Sequence, residues 1–172
     1  MDIDMEVIAK IESDFRQTGK SKKGAVGLLQ VMEHSALRDY LVVKERLNPD
    51  KKNRGWKTTK DSKRAREAWK LIGSDTEEGR MFNLQVGTWY MNQRVPNMLE
   101  AFELKDTWQN RLTAYNFGIG SLANKVGGRL DKIPDDTKEY LANYHQWKGA
   151  KDGGVKDWDK IKRISDYKAY FK

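Results

Sequence analysis

The chain has 172 residues, 38% of them hydrophobic and 34% charged, with a net charge of +8 and no cysteine. That length suits one domain with a real core, and no apolar run approaches the roughly 18 residues of a membrane span. The absence of cysteine excludes a disulfide framework and thiolate metal sites, and two separated histidines make a poor zinc set, so neither a metal nor a cofactor is expected.

In chain order, the start Met1-Asp2-Ile3-Asp4-Met5-Glu6 is acidic where a secretory signal would be basic and then apolar, which argues against export by the usual signal. Ile3, Val7, Ile8 and Ile11 recur at helical spacing and predict a short amphipathic helix that delivers Glu12 at its C-terminal end. Residues 13–24 hold two glycines, two serines and a threonine and read as a loop. An apolar run at 25–32 follows, the one place where a short extended piece fits. Ser35 is placed to cap a helix through about Leu47, closed by Asn48-Pro49, and 49–62 reads as a polar, lysine-rich exposed connection.

Ala65, Ala68, Trp69 and Ile72 form the next helical stripe. Asp75 is placed to cap another helix, with Phe82, Val86, Trp89 and Tyr90 on one side and Val95-Pro96 at its end. Trp108, Leu112 and Tyr115 line a helix that stops at Phe117-Gly118-Ile119-Gly120, and a shorter one runs to Gly127-Gly128. Pro134 fits a helix first turn, with Tyr140, Leu141 and Tyr144 on the buried side. After a glycine break at 149–154, Trp158, Ile161, Ile164 and Tyr167 predict a closing helix. The expected class is mainly α, in a single domain.

The positive charge is regional. Residues 44–70 hold eleven Lys or Arg against four acids, and residues 145–172 hold eight against four, so the rest of the chain is slightly acidic. Such patches attract polyanions, whether nucleic acid, an anionic membrane surface or an acidic wall polymer; a solvated face that only aids solubility is the plain alternative.

Glu12 is the residue with chemical potential. Burial beside apolar helix residues penalises a charged carboxyl, so a glutamate there can serve as a proton donor near neutral pH. From composition alone, a surface glutamate ending an amphipathic helix is the commoner outcome, and neighbouring motifs must decide.

Those motifs exist. Glu12-Ser13, then Ser21-x-x-Gly24-Ala25-x-Gly27-Leu28-x-Gln30-x-Met32, resembles the first two motifs of the soluble lytic transglycosylase (SLT) family, glycoside hydrolase family 23 of the lysozyme-like superfamily, with goose-type lysozymes as relatives. Asn83-Leu84-Gln85-Val86-Gly87-Thr88-Trp89-Tyr90 resembles its Asn-Ile-x-x-Gly-Thr-x-Tyr helix, and Ala114-Tyr115-Asn116-Phe117-Gly118-Ile119-Gly120 is similar to its Ala-Tyr-Asn-x-Gly-x-Gly motif. Pro134 followed by Thr137-Lys138-Glu139-Tyr140-Leu141 is similar in part to its closing segment.

The resemblance implies a lysozyme-like helical domain that cleaves the β-1,4 bond between N-acetylmuramic acid and N-acetylglucosamine in peptidoglycan. It implies that Glu12 is the acid and then the base, forming a 1,6-anhydro ring. Ser21, Gln30, Met32, Tyr90, Ala114, Tyr115 and Asn116 match family positions at the substrate. Glu139 competes with Asp136 for the acid of the closing motif. Independently, no acidic residue lies between Phe15 and Met32, so that loop offers nothing to activate water; Asp14 would point away from Glu12 if both sat in a helical turn.

Departures from the pattern are Glu33 where proline is common, the bulky Phe117 and Ile119, and Lys138 where arginine is usual. The stretch 37–82 is longer than the family's and reads as a basic insertion, and about 150–172 as a C-terminal extension whose Trp158, Tyr167 and Tyr170, with Trp147, suit sugar contact or packing. The expected partners are peptidoglycan strands and an anionic wall or outer-membrane surface, with no nucleic acid, and the chain is read as a monomer. The compact chain and the missing signal point to a bacteriophage lysis or virion enzyme acting on the periplasmic or extracellular wall. A hydrolytic muramidase on the same fold, or a non-enzymatic basic wall-binding module, are the alternatives.

Overall fold

The computed structural model describes residues 1–157. Over them the chain is mainly helical, as the periodicity predicts. The helices are α1 (Met5–Ser13), α2 (Arg38–Val43), α3 (Thr59–Ile72), α4 (Glu77–Trp89), α5 (Val95–Ala101), α6 (Trp108–Thr113) and α7 (Asp135–Asp152). Wider π-type turns occur at Glu33–Leu37, Tyr90–Arg94, Ala114–Gly118 and Ser121–Lys125. The extended piece expected near 26–32 is reduced to isolated antiparallel bridges, Lys20 with Val26 and Val26 with Val31. The closing helix expected from Trp158, Ile161, Ile164, Tyr167 and Tyr170 lies outside the described residues. The described residues fall into two compact units: a central unit, Glu12–Tyr90, and a terminal unit made of Met1–Ile11 with residues 91–157.

In the central unit, α3 and α4 pack together and bury Ala68, Ile72 and Val86. Thr58 and Thr76 start these helices, their hydroxyls accepting from the amides of Asp61 and Gly79, both at 3.0 Å; each satisfies one of the amides a helix start leaves unpaired. The cap of α4 therefore falls on Thr76 and not on Asp75, whose carboxylate instead accepts from Arg80 at 2.9 Å. Ser35 caps nothing: helical winding begins earlier, in the π turn at Glu33, and the cap position falls on Met32. α2 also stops short of Leu47, ending at Val43; Arg46 turns left-handed (φ 59°) and the amide of buried Leu47 reaches back to the Leu41 carbonyl at 3.0 Å. Tyr40 meets Phe82 and Trp89 edge-on, with ring centroids 5.8 and 5.4 Å away, and its hydroxyl accepts from Gln85 at 2.7 Å.

In the terminal unit, α6 packs on α5 and α7, and Leu99, Leu112, Leu122 and Leu141 are fully buried. Val95-Pro96 does not end a helix. The chain widens into the π turn Tyr90–Arg94 and continues as α5, with Pro96 as its second residue. Nor does Gly149 break the chain: α7 runs on to Asp152, anchored by buried Tyr140, Leu141, Tyr144 and Trp147, and the turn comes at Gly154 (φ 87°).

Polar clasps fasten the N-terminal segment of this unit. The Ile3 amide donates to Asn92 Oδ1 at 2.8 Å, the Asp4 amide donates to the Tyr144 hydroxyl at 3.0 Å, and Lys151 Nζ pairs with Asp4 at 2.7 Å. Burial pushes the Asp4 carboxyl up, but the Lys151 ammonium and the Val7 amide outweigh it and hold the group below the usual carboxylate range. The nearly buried Arg111 makes a bidentate pair with Asp106 at 2.6 and 2.8 Å, and its hydrogen bonds lower the Asp106 carboxyl as well.

Candidate active site

α1 buries Val7, Ile8, Ala9 and Ile11, which leaves Glu12 half-buried near its C-terminal end, as the helical spacing predicts. The first seven residues of α1 belong to the terminal unit, and Glu12 opens the central one. The helix stops because Asp14 (φ 53°) and Phe15 (φ 61°) both turn left-handed. Asp tolerates that conformation through local hydrogen bonds, whereas for Phe it costs on the order of 1–2 kcal/mol. Asp14 is thus outside the helix, exposed, with Arg16 3.8 Å away, so its separation from Glu12 comes from the left-handed break and not from a position on a helical turn.

The residues after the break are clamped. Val26 and Val31 exchange two backbone hydrogen bonds, Val26 N to Val31 O at 3.0 Å and Val31 N to Val26 O at 2.9 Å, and so close the turn Gly27-Leu28-Leu29-Gln30. Three side chains hold that turn from outside. Ser13 Oγ donates to the Leu28 carbonyl at 2.8 Å. Gln17, buried, accepts from the Leu28 amide at 3.1 Å and donates to the carbonyls of Ile72 and Ser74 at 2.9 and 3.1 Å. Asn83, with no exposed surface, accepts from the Leu29 amide at 2.8 Å and donates to the carbonyls of Val26 and Ile72 at 2.9 and 3.1 Å.

Two glycines make the clamp possible. Gly27 has φ 78°, and a Cβ there would collide with the Asn83 amide. A Cβ on Gly87 would stand 2.5 Å from Leu29 Cδ1, so its absence lets α4 lie directly against the turn.

The predicted site residues of the central unit sit around this clamp. Gln30 is half-buried, left-handed (φ 49°), and donates its side-chain amide to the Gly27 carbonyl at 3.0 Å. Met32 is 37% exposed and offers apolar surface just past the turn. Tyr90, buried, ends the helix whose Asn83 grips the turn. Ser21 is exposed, and its hydroxyl accepts from the Ala25 amide at 3.0 Å, stapling its own loop. Glu33, the nearest acid after the turn, lies 3.7 Å from His34.

In the terminal unit, Ala114 is buried, Tyr115 half-buried and Asn116 exposed. Thr137 Oγ1 donates to Asn116 Oδ1 at 2.9 Å, which ties the Ala-Tyr-Asn motif to the first turn of α7, where Glu139 is half-buried. Asp136 accepts from the Thr137 amide at 2.9 Å and serves the helix start. A cavity of about 260 Å³ in this unit, lined by Ile3, Trp108, Tyr144 and His145 among others, includes none of the predicted site residues. No cluster among the described residues suits a metal ion.

Ser13, Gln17 and Asn83 were not singled out as site residues by the sequence, although Ser13 and Asn83 stand inside the quoted motifs. Their partners are backbone groups, which leave no trace in side-chain pattern; the spacing of Asn83 before Gly87 was the available signal.

The transglycosylase SLT domain family matches residues 5–68, a span that holds Glu12, the clamped turn and Met32 and that continues into the 37–82 stretch. No curated protein and no solved structure matches the chain. The match supports a place among the SLT, lysozyme-like proteins and points to glycosidic-bond cleavage with peptidoglycan as substrate.

Proposed function

We propose that the chain is a peptidoglycan lytic transglycosylase in which Glu12 alone is general acid and then general base. The observation that carries this reading is the clamped turn: the Ser13 hydroxyl, next to Glu12, holds the Leu28 carbonyl at 2.8 Å, and no carboxylate lies between Phe15 and Met32. A half-buried glutamate is thus followed by a hydrogen-bonded loop that carries no carboxylate of its own.

The chemistry needs no second carboxylate. Glu12 donates its proton to the oxygen linking N-acetylmuramic acid to N-acetylglucosamine, and the C1–O bond breaks as positive charge develops at C1. The glucosamine leaves with the proton as a free 4-hydroxyl. The ionised Glu12 then takes the proton of the muramic acid 6-hydroxyl as its oxygen bonds to C1, so the 1,6-anhydro ring closes, Glu12 is protonated again and no water is consumed. Gln30 and Ser21 offer an amide and a hydroxyl for the carboxyl or the acetamido group, Met32 an apolar wall, and Tyr90, Ala114, Tyr115, Asn116 and Glu139 are assigned to substrate contact by the resemblance.

Glu12→Gln keeps size and polarity but removes the proton carrier. Turnover on purified walls is expected to fall by about 10²–10⁴-fold or more with an unchanged circular dichroism spectrum. Near wild-type turnover would overturn the assignment and favour another acid; wall binding without cleavage in the wild type would favour a non-enzymatic module.

A further inference from the structure

The 44–70 stretch carries eleven cations against four acids, and the structure shows how that surplus is displayed. Around the bridge between Pro49 and Trp56, the loop is an ordered turn, with the Asp50 amide donating to the Gly55 carbonyl at 3.0 Å and the Lys57 amide to the Asn48 carbonyl at 2.9 Å. Arg38 stiffens it from below: its guanidinium lies over the Trp56 ring, 4.7 Å from the centroid, and donates to the carbonyls of Arg54 and Gly55 at 2.7 and 3.1 Å. The segment read from sequence as an exposed connection is held by these bonds as a shaped turn that leads into α3.

Three of the four acids of this stretch are turned to local work, and the fourth, Glu67, is exposed on α3. Asp50 accepts from the Lys52 amide and Asn53 side chain, Asp61 from the Asn48 amide, and Glu45 makes a bidentate pair with Arg64 at 2.7 and 3.0 Å. The exposed cations Lys51, Lys52, Lys57, Lys63, Arg66 and Lys70 form no ion pair with any described residue. Lys63, Arg66 and Lys70 stand at i, i+3 and i+7 on α3 and so share one face, three cations against the single exposed acid Glu67 at i+4. The surplus is therefore carried on long, solvated side chains along the loop and on one face of α3.

We infer that this face is a docking surface for a linear phosphodiester polymer attached to the cell wall, a partner recognised by charge spacing and distinct from the glycan bond that is cut. Two absences narrow the partner. None of the large apolar side chains that are exposed elsewhere, such as Phe15, Val43, Met81 and Leu84, lies at 50–70, so the face has no wedge for a lipid surface. Trp56 is half-buried with Arg38 over its ring, so it makes no open stacking platform for nucleic acid bases. What is left is charge on flexible stems, which suits a repeating phosphate chain. The inference rests on the reading of the chain as a wall enzyme, and it predicts salt-sensitive retention on walls that does not depend on Glu12.

The test uses the full chain as Glu12→Gln, which removes cleavage, and measures binding to purified walls before and after hydrofluoric acid strips their phosphodiester polymers. The triple charge reversal Lys63→Glu, Arg66→Glu and Lys70→Glu is compared with a control triple on the terminal unit, Lys105→Glu, Lys125→Glu and Lys132→Glu. Stripping, or the α3 triple, is expected to weaken binding at least about tenfold at low salt, with the control changing it far less. Equal losses for both triples, undiminished binding to stripped walls, or tighter binding to duplex DNA or to anionic phospholipid vesicles at equal phosphate would each overturn it. Should the α3 triple fail to fold, Lys63→Gln, Arg66→Gln and Lys70→Gln replace it, with a smaller loss in the same direction. With Glu12 intact, the α3 triple is expected to cleave short uncharged glycan strands at the wild-type rate. A wild-type chain that binds walls through this face but cuts no glycan would sink the proposed activity and leave the docking surface standing.

Discussion

Asn83 holds the turn of the candidate site through three buried hydrogen bonds. Its amide accepts from the Leu29 N–H and donates to the carbonyls of Val26 and Ile72, which Val31 N and Gln17 Nε2 also reach, so Asn83→Ala removes three buried hydrogen bonds and leaves a void where they met. Each lost bond costs roughly 0.5–1.5 kcal/mol, and a loss of about 2 kcal/mol or more in urea unfolding is expected; a loss under about 1 kcal/mol would show that the turn is held by other means. Gly27→Ala is expected to destabilise as well, because a Cβ there meets Asn83 and the backbone is left-handed. At this scale the sequence was legible where a residue's identity is its function: Glu12 at the end of a helix, and Gly27 in a turn. It was silent where a side chain bonds backbone far away in sequence, as Gln17 and Asn83 do to Ile72.

Helices were legible from their apolar stripes, and their ends were not. The stripes at 3–11, 65–72 and 140–144 all fall on buried faces. Yet proline and glycine misled as punctuation. Pro96 follows a π turn and helix continues past it, and Gly149 costs only about 1 kcal/mol in a helix whose buried Tyr144 and Trp147 hold it in place. The π turns, which let the chain run from Glu77 to Ala101 without a loop, have no compositional mark. Caps are testable at this scale. Thr58→Ala and Thr76→Ala are each expected to cost about 1 kcal/mol in urea unfolding, while Ser35→Ala, at the cap position that the sequence suggested, should cost a few tenths at most. Equal losses at Ser35 and Thr76 would contradict the capping described.

For the whole chain, acid stability follows from two carboxylates. Asp4 and Asp106 have folded values below their unfolded ones, so the stability they contribute is present above about pH 4 and is lost as pH falls through their folded values. Lys151, raised by its bonds to Asp4 and Glu6, works in the opposite sense: its contribution is full below its unfolded value near pH 10 and is lost as pH rises through the folded one. The melting temperature should therefore drop on acidification below about pH 4, less steeply in Asp4→Asn and Asp106→Asn; identical profiles for wild type and both variants would show that these pairs do not carry the acid sensitivity. Two of the side chains involved, Asp106 and Glu6, are well exposed, so salt will mute the effect.

The function rests on whether one glutamate closes a ring or activates water, and the products record the difference. Wild-type enzyme acting on purified peptidoglycan in ¹⁸O-enriched water should release muropeptides ending in 1,6-anhydromuramic acid, one water lighter than reducing-end products and free of heavy oxygen, with the reaction lost in Glu12→Gln. Reducing-end muramic acid carrying ¹⁸O at C1 would show hydrolysis and contradict the single-carboxylate account.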